Sequence, residues 1–149
     1  HIGFAVSSRE IIEDMNKIKF SFNPFNLNSV TMAAGIAAVK DVDYLHNCVT
    51  RIVKNRENFQ KELESIGFHV IPSRANFVFC YHDAIDSGIL CEKLKEEGIL
   101  TRHFADEKLT KYLRITIGTE QEMDVVLIAI REILDEVRQT QSVKEKKAC

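Results

Sequence analysis

Long apolar segments and an excess of one charge are both absent from this 149-residue chain. No apolar run approaches the roughly 20 residues that a transmembrane helix needs. The net charge is −2, so the chain has no broad cationic field that would favour nucleic acid or an anionic membrane. With 45% hydrophobic and 28% charged residues, the composition is typical of a soluble domain with a core of its own.

The four cysteines are too widely spaced to indicate a disulfide framework or a zinc site. They are Cys48, Cys80, Cys91 and Cys149, and no two of them form a C-x-x-C pair. Cys80 and His82 lie two apart on an expected strand, but two ligands alone do not make a metal site. We therefore expect no bound metal and ordinary reduced thiols in a cytoplasmic protein.

Local motifs of the common catalytic classes are missing as well. The sequence contains no G-x-G-x-x-G, P-loop, H-E-x-x-H or G-x-S-x-G pattern, and no Ser/His/Asp grouping. His46 and His69 occupy helix and turn positions that are typical of surface or core histidines. The residues alone therefore indicate no reaction and no catalytic residue.

Hydrophobic periodicity in the first forty residues predicts a strand and two helices. Ile2–Ser7 is short and apolar and predicts a buried strand, which a helix capped by Ser8 follows. A loop then leads to a helix of small residues, for which Ser29 or Thr31 is the expected cap. Because a lone strand is unstable without partners, residues 1–40 are typical of the end of a larger sheet-containing domain.

From Asp43 onward the predicted order is α-β-α-β-β-α, an α+β class with a small, mostly antiparallel sheet packed by helices. A capping box of Thr119 and Glu122 opens the last helix. Apolar residues on both faces of the first strand suggest a sheet covered, at least in part, on both sides. The predicted elements are a helix from Asp43 to Ile66, a strand over Ala75–Tyr81, a helix over Ala84–Glu97, strands over Ile99–Phe104 and Tyr112–Ile117, and a helix ending near Val137. We expect residues 41–138 to form one domain and residues 139–149 to form a frayed charged tail.

Two arginines in the last predicted hairpin are the candidate binding residues. Alternation along Tyr112–Ile117 places Arg114 opposite the apolar face, and a cation in a strand needs a partner or access to water. Arg102 lies on the preceding strand, so an antiparallel hairpin brings the two guanidinium groups near each other. Their planar donors suit a carboxylate or a phosphate. The alternative is a surface hairpin with two solvated cations.

Five segments, in order along the chain, resemble the histidinol-phosphate aminotransferase group of the fold-type-I, pyridoxal-phosphate-dependent aminotransferases. Together they cover nearly the whole chain to about Val137, and their order and spacing are more specific than any one of them. The segments are HIGFAVSS, PFNLNSVTMAAGIAAVKD, ENFQKELESIGFHVIPSRANFVFC, GILTRHF and YLRITIGTEQEMDVVLIAI.

The resemblance implies the end of a large cofactor domain in residues 1–40 and a small C-terminal domain in residues 41–138. It implies amino transfer between glutamate and imidazole-acetol phosphate in histidine biosynthesis, with pyridoxal 5′-phosphate as cofactor and a homodimer as the assembly. By this resemblance Arg114 matches the arginine that binds the substrate carboxylate, and Arg102 matches an arginine near the substrate phosphate.

The sequence also departs from the family pattern. The Schiff-base lysine of the family lies upstream of the residues present here, and His1 stands where the family has an arginine that contacts the cofactor phosphate. We therefore expect this chain alone to hold no pyridoxal phosphate and to lack transaminase activity. We also expect it to self-associate, because an isolated piece would expose the small-residue helix and the strand IGFAVS. A stand-alone anion-binding regulatory domain and an interaction module without a ligand remain alternatives.

Overall fold

The computed structural model describes residues 2–23, 25 and 27–148, with the side chains of 141–148 excepted. The expectations for His1, Pro24 and Cys149 fall outside the described residues. The chain divides into two compact units, His1–Asn47 and Cys48–Cys149, so that the division falls inside one long helix.

Two helices lie wholly within the first unit, α1 (Arg9–Phe22) and α2 (Ser29–Lys40), and neither has a buried residue. Ser8 is the N-cap of α1, as predicted, although its side chain makes no capping hydrogen bond. Asn28, and not Ser29 or Thr31, caps α2, because its side-chain oxygen accepts a 2.8 Å hydrogen bond from the Thr31 backbone N–H.

The strand predicted near the N-terminus is not formed. Residues 2–8 belong to no helix or strand, and the apolar side chains of Phe4 and Val6 are 86% and 87% exposed. The described residues of this unit contain no strand with which the segment can pair, and an unpaired strand leaves its backbone groups without partners.

The long helix α3 (Val42–Ser65) begins one residue before its predicted start. The Asp41 carboxylate accepts a 3.2 Å hydrogen bond from the Tyr44 backbone N–H, which satisfies a donor of the first turn. At the other end, Gly67 has a φ of 99°, the left-handed conformation that favours glycine after a helix. The prediction that Gly67 terminates this helix is confirmed.

The second unit is built on a four-stranded antiparallel sheet with the strand order β1-β2-β4-β3. The strands are β1 (Phe68–Ile71), β2 (Phe77–His82), β3 (Arg102–His103) and β4 (Leu113–Thr116). The α+β class with a mostly antiparallel sheet is confirmed. The sequence did not predict β1, because its four residues are interrupted by a histidine and bounded by Gly67 and Pro72.

One face of this sheet packs against the helices α3, α4 (Ser87–Glu96) and α5 (Glu120–Ala148). The buried strand residues join helix residues in one core, whose fully buried large side chains are Phe59, Leu63, Val78, Cys80, Leu90, Leu94, Leu113 and Ile130. On the other face, Phe77, Phe79 and Tyr81 are only half-buried. Within this unit the expectation of cover on both faces therefore holds only in part, because α3, α4 and α5 contribute their buried apolar side chains to one face.

The last helix begins as predicted and extends further. The Thr119 backbone N–H donates to the Glu122 carboxylate over 2.7 Å, and the Glu122 backbone N–H donates to the Thr119 hydroxyl over 3.3 Å, which confirms the capping box. The helix continues to Ala148, beyond the predicted end near Val137, because the added residues include neither glycine nor proline and many are good helix formers. No helix in the described part of the chain is long and apolar enough to cross a membrane.

Candidate functional site

The candidate site lies on the face of the sheet that turns away from the core, called here the open face and defined by Ile71, Phe79, Arg102 and Arg114. The strand register places these residues in one row, because Ile71 is the Cα partner of Phe79, Phe79 of Arg114, and Arg114 of Arg102. Residues directly opposite on neighbouring strands point to the same face of a sheet. The antiparallel pairing that the sequence predicts for the two arginines is therefore present.

Arg114 occupies the inner position of the arginine pair and is half-buried. Its neighbours Leu113 and Ile115 are 0% and 2% exposed on the core face, so the strand alternation fixes Arg114 on the open face. The guanidinium carbon lies 4.9 Å from the centre of the Phe77 ring, within the range of a cation–π contact. The aromatic contact orients the guanidinium and leaves its hydrogen-bond donors available.

Arg102 lies on the edge strand β3 and is exposed. Its guanidinium carbon lies 5.1 Å from the centre of the Phe104 ring. Like charges on directly opposite residues destabilise a strand pair, and a bound anion would relieve that repulsion. In the described part of the chain the arginines that form ion pairs are elsewhere, namely Arg9, Arg56, Arg131 and Arg138.

A cleft with a volume of about 450 Å³ opens beside Arg114. Its volume falls within the range of roughly 300–1,000 Å³ that is usual for small-molecule sites, and its walls combine aromatic and aliphatic side chains with two arginines. The cleft is lined by Ile71, Pro72, Ser73, Arg74, Phe77, Phe79, Phe104 and Arg114. Arg102 is not among the lining residues, but it contacts the cleft indirectly through Phe104.

Arg74 is the charged lining residue that the sequence analysis missed. It lies between β1 and β2, where no periodicity predicts the direction of a side chain. The register of β1 with β2 closes the segment between them into a turn beside Phe77, and this pairing was not predicted because β1 itself was not. A signal was nevertheless present, since a cation directly after Pro72-Ser73 precedes a strand that carries alternating aromatic residues.

Aromatic side chains extend along the open face beyond the cleft. Tyr112 stacks on Phe79 with ring centres 4.8 Å apart, and it meets Tyr81 edge to face at 5.5 Å. The ammonium of Lys111 lies 3.6 Å from the centre of the Tyr81 ring, and His69 stacks on the same ring at 4.6 Å. His69, which the sequence suggested to be a filler residue, thus forms part of this aromatic surface.

The thiol nearest to the site takes no part in it. Cys80 is 0% exposed on the core face, and burial raises the pKa of its thiol to about 12. A thiol that stays protonated is neither a nucleophile nor a metal ligand at neutral pH. Among the described residues no group of three or more histidine, cysteine, aspartate or glutamate side chains is placed to hold a metal ion.

The lining of the cleft does not fit the reactive end of pyridoxal phosphate. The aldehyde of that cofactor needs a lysine amine to form an imine, and the residues that line the cleft include no lysine. A larger depression of about 720 Å³ in the first unit does contain a lysine, Lys19, whose ammonium lies 5.5 Å from the Phe20 ring centre. The described residues that line that depression include no arginine. The cleft of the second unit has arginines but no lysine, so it suits only the anionic end of a ligand.

Comparison with known proteins gives a consistent result in sequence and in structure. The sequence profile of aminotransferase class I and II matches residues 1–130. Histidinol-phosphate aminotransferase of Chromohalobacter salexigens is 43% identical over 132 residues, which are 89% of this chain and 38% of that protein. The chain therefore spans about 38% of the length of this relative.

Two solved structures share the fold. Histidinol-phosphate aminotransferase from Clostridium acetobutylicum is 30% identical with a TM-score of 0.76, and the match covers 83% of this chain and 38% of that one. The enzyme of the same name from Sinorhizobium meliloti, solved in complex with pyridoxal-5′-phosphate, is 27% identical with a TM-score of 0.76, and the match covers 91% of this chain and 36% of that one.

Proposed function

Because this chain belongs to the aminotransferase class I and II family, we propose that it is the C-terminal part of a pyridoxal-phosphate-dependent aminotransferase. The reaction of the whole enzyme is amino transfer between glutamate and imidazole-acetol phosphate, a step of histidine biosynthesis. The similarity to histidinol-phosphate aminotransferases at 38–43% identity supports this choice of substrates. The observation that carries the proposal is the row in which Arg114 and Arg102 are Cα partners beside a cleft.

In this proposal Arg114 binds the acidic group of the substrate. A planar guanidinium forms two parallel hydrogen bonds with a carboxylate or a phosphate, and both the donor and the acceptor of the reaction are anions. Partial burial beside the Phe77 ring strengthens such an interaction, because water screens it less than at the open surface. Arg102 is exposed and serves as the outer cation, near the substrate phosphate.

In this proposal the present chain supplies substrate-binding residues, and the lining of its cleft supplies no reacting group. Pyridoxal phosphate, when bound to the whole enzyme, supplies the carbonyl that exchanges with the amino group and stabilises negative charge at the substrate Cα. The cleft contributes no lysine, so we propose that the chain alone neither holds the cofactor nor catalyses transfer. The rest of the enzyme supplies the imine-forming lysine, and the complete protein is a cytoplasmic homodimer.

The absence of activity in the isolated chain is directly measurable. The chain is incubated with pyridoxal phosphate, glutamate and a keto acid, and formation of the new amino acid is followed by chromatography. We expect a rate equal to that of the free cofactor without protein. A rate well above that background would contradict the proposal that the chain lacks the reacting group.

Anion binding at Arg114 is tested by NMR titration of the ¹⁵N-labelled chain with acetate at constant ionic strength. We expect amide shifts around the cleft in the unchanged chain and their loss in Arg114→Gln, which removes the charged guanidinium and keeps the aliphatic stem of the side chain. Arg51→Gln is the matched control, because Arg51 is exposed on α3 and outside the cleft. Equal titration of the Arg114→Gln and Arg51→Gln proteins would overturn the assignment of the site.

A stand-alone anion-binding domain is the second candidate, because the cleft is complete within the second unit. The two candidates differ in what the coding sequence contains ahead of His1. A serine-lysine motif within a few codons supports the aminotransferase, whereas an initiator methionine at that point supports the stand-alone domain.

A further inference from the structure

A second arginine faces the cleft beside Arg114 and has no role in the family pattern described above. Arg74 is exposed and lines the same cleft of about 450 Å³. It is not one of the arginines that form ion pairs in the described part of the chain. Its charge is therefore available to a ligand in the cleft.

The backbone that carries Arg74 is held from within its own turn. The Ser73 hydroxyl donates a 2.6 Å hydrogen bond to the Phe77 carbonyl and accepts one of 3.1 Å from the Ala75 backbone N–H. Pro72 fixes its own φ angle at the start of the turn. The residues on both sides of Arg74 are consequently constrained by local contacts.

Two contacts from other elements hold the same turn. Arg56 of α3 is only 7% exposed and donates a 3.0 Å hydrogen bond from its guanidinium to the Ala75 carbonyl. The Ile117 backbone N–H, which follows β4, donates a 2.8 Å hydrogen bond to the Asn76 carbonyl. The turn is thereby tied to the helix that packs the core and to the strand that carries Arg114, so the base of the Arg74 side chain has a defined position.

We propose that Arg74 determines specificity by favouring, in the cleft, a ligand whose anionic end carries two charges, namely a phosphate monoester. A carboxylate has one negative charge and is satisfied by Arg114 alone, whereas a phosphate monoester has close to two at neutral pH and three acceptor oxygens. Arg74 and Arg114 supply two positive charges to one cleft with aromatic and aliphatic walls. The inference rests on the proposed function, whose substrate carries a phosphate near Arg102, and adds Arg74 as a second residue that selects for that group.

The test compares a phosphate monoester with a monocarboxylate on the intact chain. Ethyl phosphate and acetate are titrated at pH 7.5 and constant ionic strength into the ¹⁵N-labelled chain and into three variants, Arg74→Gln, Arg114→Gln and Arg51→Gln. We expect Arg74→Gln to weaken ethyl phosphate binding about two- to fivefold, the range for an exposed charge contact, and to leave acetate binding within about 1.5-fold. Arg51→Gln is expected to bind both ligands as the unchanged chain does.

The outcomes separate this inference from the proposed function. If Arg114→Gln abolishes binding of both ligands while Arg74→Gln changes neither, the site stands and the role of Arg74 is overturned. If the unchanged chain binds neither ligand at the cleft, the proposed function and the inference both fail. If Arg74→Gln weakens both ligands equally, Arg74 contributes charge without selectivity, and the specificity claim is overturned. The ¹⁵N spectrum of each variant reports at the same time whether the fold is retained.

Discussion

At the scale of single residues, strand alternation in the second unit places apolar side chains in the core and the site residues on the open face. Along β4, Leu113 and Ile115 are buried, whereas Arg114 between them reaches the open face. Along β2, Cys80 is buried and its neighbours Phe79 and Tyr81 face the aromatic side. A one-residue change of register would bury the arginine, so the buried side chains specify where the cation lies.

The buried thiol makes the stability of the chain depend on alkaline pH. Burial raises the pKa of Cys80 to about 12, whereas the pKa of a thiol in the unfolded chain is about 8.5. Since the folded pKa is the higher one, the contribution of this group is complete below about pH 8.5 and is lost as the pH rises toward the folded value. Between pH 8.0 and 10.0 we expect this thiol to lower the free energy of unfolding by about 2 kcal/mol.

The measurement is urea unfolding under reducing conditions at the two pH values, for the unchanged chain, Cys80→Ala and Cys91→Ala. Cys80→Ala lowers stability at both pH values because it leaves a cavity, but it removes the thiol-dependent part of the alkaline loss. Cys91 is only partly buried, so its variant is expected to keep the pH dependence of the unchanged chain. The same alkaline loss in Cys80→Ala and in the unchanged chain would refute the argument.

At the scale of elements, the long amphipathic helices were predicted well, whereas one short strand, β1, was missed. The helices α3 and α5 begin within a residue of their predicted starts, because a capping residue precedes a sustained apolar stripe in each. The strand β1 was missed because four residues show too little alternation, and its existence depends on pairing with β2, which lies outside any local window.

Site residues were predicted from the sequence only where the strand that carries them was also predicted. Arg114 and Arg102 were found because each lies in a strand-like segment and a short loop joins the two. Arg74 was not found, because its position follows from the β1–β2 pairing and from the contact between Arg56 and the Ala75 carbonyl, which are 19 residues apart. Tertiary contacts of this kind leave no periodic trace in the sequence.

At the scale of the whole molecule, the two units differ in how far their apolar side chains are buried. The second unit has a core of buried apolar residues, whereas α1 and α2 have no buried residue. Large apolar side chains on these two helices are more than half exposed, namely Ile11, Ile18, Phe20, Phe22, Val30, Ile36 and Val39. Exposed apolar surface of this kind is typical of a contact with another polypeptide.

We therefore expect the chain to self-associate through its first unit. The double variant Ile18→Ser with Phe22→Ser removes side chains that are 66% and 92% exposed on α1 and is expected to shift the chain toward monomer. Leu100→Ser is the control, because Leu100 is 83% exposed but belongs to the second unit. The measurement is size-exclusion chromatography with light scattering, and an unchanged chain that elutes as a monomer at high concentration would rule out the association.

The positions of the two hairpin arginines in the strand order affect how the site can change as related sequences diverge. Arg114 lies on β4, which has a neighbour on each side, whereas Arg102 lies on a two-residue strand at the margin of the sheet. Insertions or deletions in the connection at residues 105–111 would shift the marginal cation and leave the interior one in place. Sequences that diverge in this connection can therefore change which outer group of the substrate they bind, while Arg114 continues to bind the acidic group.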